Sequence, residues 1–307
     1  MTVSIVIPAF NAVRTLQRAW ESAAHESGIT QIIIVDDGSN DGTAALARSF
    51  CSAITVLSGP NQGPAAARNR GLAEAAGDWT IFLDADDELL PGTIEKRLET
   101  AARTGADVVI ADWEEEREEA DGKIVTTIGH FDWAAFDADP ELATGIIAWA
   151  QIGSTLYRTS LIQEIGGFRT NIHVAEDARL NWDCVRAGAI FAHSDHLGVR
   201  YNFVPGSQSR ASKSRFFSNA FVNLNEITCR WQSEGKLTAE RRSALAEAFH
   251  CCERNFFGAS HPLYFEAYAA RKSLGLPSPL HSRFTMPLSR LLGLRAASSL
   301  LGAIQQA

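Results

Sequence analysis

The chain has 307 residues, of which 46% are hydrophobic and 21% are charged, and its formal net charge is −8 at pH 7. This length can bury a sizeable core in one large domain or two small ones, and the composition is ordinary for a soluble globular protein. The negative charge argues against a general nucleic-acid binder, and no uninterrupted apolar segment is long enough to span a bilayer.

The first third of the chain alternates predicted strands with helical segments. The predicted strands cover residues 3–7, 31–35, 53–57, 79–83 and 107–110. This alternation indicates βαβ units and a parallel sheet. The N-terminus enters the first strand directly, without a basic region and an apolar core, so we expect a cytoplasmic protein without a secretory signal.

Polar residues follow the first two predicted strands. The first strand leads into IVIPAFN, residues 5–11, where Asn11 is placed to cap the next helix. The second leads into IVDDGSNDGT, residues 34–43, where Asp41 is placed to cap the following helix. Because ligands of α/β sheets bind outside the carboxyl ends of the strands, both clusters are candidate site residues.

A third cluster is the acidic end of the strand in IFLDADDE, residues 81–88, where Asp84, Asp86 and Asp87 place three carboxylates within four residues. Carboxylates this close repel one another, and a hard divalent cation with oxygen ligands would remove the conflict. The alternative is a solvated acidic turn before the helix that is predicted to begin near Pro91.

Between the second and third clusters lies GPAAARNRG, residues 63–71. Pro64 suits the first turn of a helix, where its missing N–H costs nothing. Arg68, one turn further on, is a fork-shaped donor suited to a phosphate or to an aspartate of the site. A surface arginine is the alternative.

These four segments, in this order, resemble the family 2 glycosyltransferases, which are nucleotide-sugar-dependent enzymes with the GT-A fold. The resemblance implies an α/β fold with a mainly parallel, Rossmann-like sheet flanked by helices. It covers roughly the first two thirds of the chain. We expect a GT-A domain over residues 1–211, with a nucleotide-binding half at about 1–112 and an acceptor half at about 113–211.

The resemblance also implies roles in a donor site. Asp37 would pair with the edge of a nucleobase and Asp36 would support it, beside a wall formed by residues 8–10. Asp84 would contact ribose or Arg68, and Asp86 or Asp87 would bind Mn²⁺ or Mg²⁺, which take oxygen ligands and share them with phosphates. The full set of predicted nucleotide-binding residues is Pro8, Ala9, Phe10, Asn11, Asp36, Asp37, Arg68, Asp84 and Ala85.

The second half of the domain begins with residues 113–125, which read as an exposed hairpin turning at Asp121 and Gly122, its glutamates solvated rather than metal-binding. Glu176 and Asp177 then open an amphipathic helix that ends near Gly188. Acidic residues favour helix N-termini on local grounds, because they complement the helix dipole. The family resemblance instead implies that Asp177 is the catalytic base and that Glu176 orients it or helps to hold the acceptor.

Residues 201–210 resemble the loop that closes over the diphosphate in many relatives. Gly206, Ser207 and Ser209 match the pattern of that loop, and Arg210 is placed to meet a phosphate. Relatives often place a basic residue shortly after the tyrosine, where this chain has Asn202 and Phe203. A mobile polar surface loop is the alternative.

The resemblance stops near residue 212, and we expect a mainly helical extension over residues 212–307. Cys251 and Cys252 adjoin His250, but the helical pattern around them favours buried free thiols over a metal site. The tail from residue 286 is apolar on one side with arginines nearby, which suits peripheral contact with an anionic membrane. Packing on the catalytic domain, or on a second subunit of a homo-oligomer, is the alternative.

Together with these residues, the family resemblance implies an inverting, metal-dependent hexosyltransferase. It would move a sugar from a nucleotide diphosphate donor, with UDP-sugar expected, to a glycan or lipid-linked acceptor. A non-catalytic relative that binds nucleotide or glycan in an assembly is one alternative. A sugar-nucleotide pyrophosphorylase is another, but such enzymes usually carry a glycine-rich, basic loop after the first strand, unlike residues 8–11.

Overall fold

The computed structural model describes residues 1–51, 54–119, 121–172, 175–203, 213–256 and 262–275. The chain divides into two units, Met1–Ser207 and Gln208–Ala307. The predicted domain boundary, between residues 211 and 212, lies outside the described residues and stays a prediction.

The first half of the sheet follows the predicted βαβ rhythm. In the second strand, β2 (Ile29–Asp36), the branched residues at positions 32–35 are all buried, because helices cover both faces of the sheet. The elements are β1 (Val3–Ala9), α1 (Leu16–Ala24), β2 (Ile29–Asp36), α2 (Thr43–Ser49), β3 (Thr55–Ser58), α3 (Pro64–Glu74) and β4 (Trp79–Phe82). Strand β1 pairs in parallel with β2 and β4, and β2 pairs in parallel with β3.

The second half of the sheet is mixed. Strand β8 (Thr155–Arg158) runs antiparallel between β4 and β6 (Val108–Glu118), so the fifth predicted strand, which is β6, does not lie next to the fourth. The order is β3-β2-β1-β4-β8-β6-β9-β5, with β7 on β6. The elements are β5 (Glu88–Leu89), α4 (Thr93–Thr104), β6 (Val108–Glu118), β7 (Ile124–Gly129), α5 (Trp133–Ala138), α6 (Pro140–Leu142), β8 (Thr155–Arg158), α7 (Thr159–Glu164), α8 (Glu176–Arg186) and β9 (Phe191–Phe203).

The predicted hairpin is confirmed as β6 and β7, which pair antiparallel from Trp113 opposite Gly129 to Glu118 opposite Ile124. Gly122 has a φ of 81°, in the left-handed region that glycine adopts without strain. Part of the acidic face is ion-paired, since Arg200 contacts the carboxylates of Glu114 and Glu116 at 3.1 Å each.

The predicted capping role of Asn11 is wrong. Helix α1 begins at Leu16, and Thr15 occupies its N-cap position. Asn11 has a φ of 50°; its backbone N–H donates to Ser39 Oγ at 2.9 Å, and its Oδ1 accepts from the backbone N–H of Asn40 at 3.0 Å. Asparagine tolerates this conformation because its short side chain bonds nearby backbone, and here it ties the loop after β1 to the loop after β2.

The second unit contains α9 (Lys213–Ser233), α10 (Ala239–Phe256) and α11 (Leu263–Ser273). Phe221, Leu224 and Ile227 are buried, whereas Phe216 is 37% exposed. Of the two adjoining thiols expected to be buried, Cys252 is buried and Cys251 is exposed. Within the described part of the chain, no helix is long and apolar enough to cross a membrane. The tail from residue 286 lies outside the described residues, so its contact with a membrane stays a prediction.

Gly71 allows α3 to pack closely on the sheet. A Cβ at this position would lie 2.3 Å from Val6 Cγ1 and 3.2 Å from Val35 Cγ2. We expect Gly71→Ala to lower the free energy of unfolding by about 1–3 kcal/mol, because overpacking forces neighbours to shift. Chemical denaturation measures the change. Ala73→Leu, on the exposed face of the same helix, is the control and should stay within about 0.5 kcal/mol of the parent chain. Equal stability of the Gly71 variant would contradict the close packing.

Candidate active site

The acidic cluster after β4 forms a tight turn in which the backbone N–H of Asp87 donates to the carbonyl of Asp84 at 3.1 Å. Asp87 is fully buried. One of its carboxylate oxygens accepts from the backbone N–H of Asn202 at 3.0 Å, and the other accepts from the side-chain amide of Gln151. Asp86 is half-buried, and no other described side chain bonds its carboxylate.

The crowding and burial of the carboxylates in this cluster raise the pKa values of two of them. Burial, and then the charge of Asp84, raises the pKa of Asp86 to about 6. Burial and the neighbouring carboxylates also raise the pKa of Asp87 well above its ordinary value. Among the described residues, no three ligating side chains converge on one point. This donor set fits a cation held by one or two carboxylates plus the phosphates of a substrate, as Mg²⁺ usually is.

Arg68 joins the acidic cluster to the start of α8. Its guanidinium donates to Asp84 Oδ1 and to Glu176 Oε1, each at 2.6 Å. The side chain is only 6% exposed and lies over the ring of Phe168, 5.4 Å from its centroid. Burial lowers the pKa of Arg68, but the two carboxylates outweigh burial and raise it above the ordinary value. Arg68 is therefore a buried cation between acidic groups, and the surface-arginine alternative is wrong.

Glu176 and Asp177 open α8 as predicted, yet their surroundings differ. Glu176 is buried against Arg68, and burial raises its pKa to about 7 despite that positive charge. Asp177 is half-buried; its Oδ2 accepts from the indole N–H of Trp149 at 2.9 Å and its Oδ1 from the backbone N–H of Ala178 at 2.8 Å. Burial also raises the pKa of Asp177. Among the described residues, no cationic side chain forms an ion pair with the carboxylate of Asp177.

The predicted base-binding residues lie at the ends of β1 and β2. The backbone N–H of Asp37 donates to the carbonyl of Ala9 at 2.9 Å. Its buried carboxylate accepts from Arg70 at 2.6 Å and from the backbone N–H groups of Gln62 and Gly63. Asp37 thus holds the loop before α3, a role that the sequence does not reveal, and its contact with a nucleobase stays a prediction.

The remaining predicted nucleotide-binding residues differ in their exposure. Asp36 is buried and accepts from the backbone N–H of Ser39 at 3.2 Å. Phe10 is 40% exposed, while Ala85 is buried beside the acidic cluster. Pro8 is half-buried at the end of β1. Hydrogen bonds from Asp37 to Ala9 and from Asn11 to Ser39 join the ends of β1 and β2.

The structure describes one group of predicted site residues and leaves another, the diphosphate loop, outside the described residues. Arg68, Asp84 and Glu176 are joined directly by ion pairs. Ser207, Ser209 and Arg210 lie outside the described residues, so the diphosphate loop stays a prediction.

The sequence predicts no role in the site for three residues that the structure places there: Trp149, Gln151 and Asn202. Gln151 is 1% exposed. The sequence signal that could have identified it is a polar residue in an otherwise apolar segment. Asn202 donates from its side chain to the carbonyl of Asp86 at 2.9 Å, in addition to its backbone bond to Asp87. The end of β9 is therefore fixed to the acidic cluster.

The fold is that of GT-A glycosyltransferases. The structure of S. aureus TarS 1-349 in complex with UDP-GlcNAc has a TM-score of 0.60 to this chain at 16% sequence identity, with 89% of each chain covered. The same protein in complex with UDP has a TM-score of 0.55 at 18% identity, again with 89% of each chain covered. The family model "Glycosyl transferase family 2" matches residues 4–166, just over half of the chain, and the chain belongs to this family.

Curated relatives support the same family. The succinoglycan biosynthesis protein ExoO of Rhizobium meliloti (strain 1021) is 36% identical over 111 residues, covering 35% of this chain and 32% of that protein. The uncharacterized glycosyltransferase YibD of Escherichia coli (strain K12) is 27% identical over 186 residues, covering 58% and 51%. The PGL/p-HBAD biosynthesis glycosyltransferase of Mycobacterium bovis (strain BCG / Pasteur 1173P2) is 30% identical over 205 residues, covering 64% and 74%. The chain thus spans about half or less of the first two relatives.

Proposed function

We propose that the protein is an inverting, metal-dependent glycosyltransferase that moves a sugar from a UDP-sugar to a hydroxyl group of a glycan or lipid-linked acceptor. One observation carries this proposal: Arg68 bridges Asp84 of the acidic cluster and Glu176 at the start of α8, so residues proposed for the donor site and for proton transfer are linked by ion pairs. The UDP and UDP-GlcNAc complexes of TarS support the choice of donor. The name of the succinoglycan relative supports a glycan acceptor.

The base is Asp177 rather than Glu176. The carboxylate of Glu176 is bound to Arg68, whereas each oxygen of Asp177 accepts one hydrogen bond and keeps a lone pair. An acceptor hydroxyl is a poor nucleophile unless a carboxylate takes its proton as the new bond forms. One base and one direct displacement invert the configuration at the anomeric carbon.

Asp86, with Asp84 beside it, would hold Mn²⁺ or Mg²⁺. Asp87 is less suited, since it is fully buried and both of its oxygens already accept hydrogen bonds. The raised pKa of Asp86 reflects burial next to a like charge, which a cation would relieve. When bound, the metal would neutralise charge on the departing diphosphate. Asp87 then acts by fixing Gln151 and Asn202 around the cluster.

Calorimetric titration with UDP tests this proposal. We expect binding with Mn²⁺ present, and binding at least about 10-fold weaker with a chelator or in Asp86→Asn. Asp195→Asn, at an exposed carboxylate on β9, is the matched control and should bind UDP like the parent chain. Equal affinity with and without chelator would remove the metal from the proposal. Failure to bind UDP, GDP or dTDP under either condition would favour a non-catalytic relative.

A further inference from the structure

Trp149 is an exposed aromatic residue anchored to the proposed base. It precedes the 3₁₀-helix Ile152–Ser154, and its side chain is 40% exposed although Ala148, Ala150 and Gln151 around it are buried. Its indole N–H donates to Asp177 Oδ2 at 2.9 Å. The ring therefore meets solvent directly beside the carboxylate that would receive the acceptor's proton.

The position of this ring is fixed from two sides. Trp113 packs against it edge to face, with ring centroids 5.3 Å apart and an interplanar angle of 83°, and the ring of Tyr201 lies 6.1 Å away at 61°. Trp113 is itself 2% exposed, and its ring covers Gly129, where a Cβ would lie 2.1 Å from the indole nitrogen. A rigid aromatic surface loses little conformational freedom when a ligand binds.

The same segment is fixed to the donor site. Two residues after Trp149, the side chain of Gln151 donates to the carboxylate of Asp87. Arg97, which is fully buried, donates to the carbonyl of Gly153 at 2.9 Å. The segment from residue 149 to residue 153 therefore spans from the base to the acidic cluster, so a ligand on Trp149 would be held at a defined distance from the donor.

We propose that the acceptor binds through a pyranose ring that stacks on the exposed face of Trp149, with the attacking hydroxyl directed to Asp177. An indole face carries partial negative charge, and the axial C–H groups of a pyranose form an apolar, weakly positive face that complements it. The hydroxyls at the edge of the ring suit the carboxylate next to the indole. This inference rests on the proposed function and specifies a sugar, in a glycan or the head of a lipid-linked acceptor, as the group recognised.

Saturation-transfer NMR with methyl β-D-glucopyranoside, methyl β-D-galactopyranoside and methyl N-acetyl-β-D-glucosaminide tests the stacking. In the presence of UDP and Mg²⁺, which is diamagnetic and does not broaden the ligand signals, we expect at least one glycoside to bind, with the strongest transfer to the axial ring protons. Trp149→Ala should weaken this binding at least about 10-fold, while Trp149→Phe, which keeps an aromatic face, should retain most of it. Ile147→Ala removes a neighbouring exposed apolar side chain and should leave binding unchanged.

The outcomes separate this inference from the proposed function. UDP affinity equal to that of the parent chain shows that each variant is folded and that the donor site is intact. Glycoside binding that persists in Trp149→Ala would overturn the inference, as would the absence of binding by all three glycosides to the parent chain. Failure to bind UDP would contradict the proposed donor site, whereas the effect of Trp149→Ala on glycoside binding would still report on the stacking surface.

Discussion

Asp177→Asn is expected to slow sugar transfer by about 100- to 10,000-fold, the usual contribution of a general base, and to leave UDP affinity unchanged. The amide has the same shape as the carboxylate, so its oxygen can still accept from the indole N–H of Trp149. What is lost is the group that takes the acceptor's proton. Transfer is measured as UDP release from the best donor of a UDP-sugar screen, and binding by calorimetry.

The pH dependence of the rate of sugar transfer should reflect the protonation of Asp177. Burial raises the pKa of Asp177, and the base must be deprotonated to act. Activity therefore falls as the pH decreases through that pKa, and the acid limb should lie above the value of about 3.9 for an ordinary aspartate. Glu164→Gln, at an exposed carboxylate that ends α7, should change neither rate nor profile. Parent rates in Asp177→Asn would remove Asp177 as the base.

Features with local causes could be predicted from the sequence. The branched run before Asp36 predicts a strand buried on both faces, and β2 has this form. Pro64 predicts the start of α3, and Glu176 the start of α8. The acidic turn after β4 is visible because few other reasons place three carboxylates at the end of a buried strand. In each case a few neighbouring residues determine the result.

Features that depend on distant pairing could not be predicted in this way. Arg68 and Glu176 are separated by 108 positions, and only folding brings the guanidinium of α3 within 2.6 Å of the carboxylate at the start of α8. The sequence does not distinguish Asp86 from Asp87, because Gln151 and Asn202, whose bonds occupy the carboxylate of Asp87, are distant along the chain. Asn11 follows the local pattern of a cap, but its contacts with the loop after β2 prevail.

Arg68→Ala is expected to lower the free energy of unfolding by about 3–5 kcal/mol, because it leaves Glu176 buried without its counter-charge. The loss should depend on pH. Even beside Arg68, the pKa of Glu176 is about 7, above its ordinary value, and without the arginine it should rise further. The folded variant then binds a proton that the unfolded chain does not, so its stability falls as the pH rises. Denaturation at pH 5 and pH 8 measures the difference, with the larger deficit expected at pH 8.

Replacing the carboxylate of Glu176, which Arg68→Ala leaves without a counter-charge, should restore much of the lost free energy of unfolding. In a double-mutant cycle, Arg68→Ala combined with Glu176→Gln should be more stable than Arg68→Ala alone, because an amide can be buried without a counter-ion at lower cost than a carboxylate. Arg68→Lys should be intermediate, since one ammonium does not reproduce the two bonds that the guanidinium makes to Asp84 and Glu176. Arg103→Ala, at an exposed position in the last turn of α4, should change stability by no more than about 0.5 kcal/mol. If the double variant were no more stable than Arg68→Ala, the deficit would come from lost packing on Phe168 rather than from the charge left on Glu176.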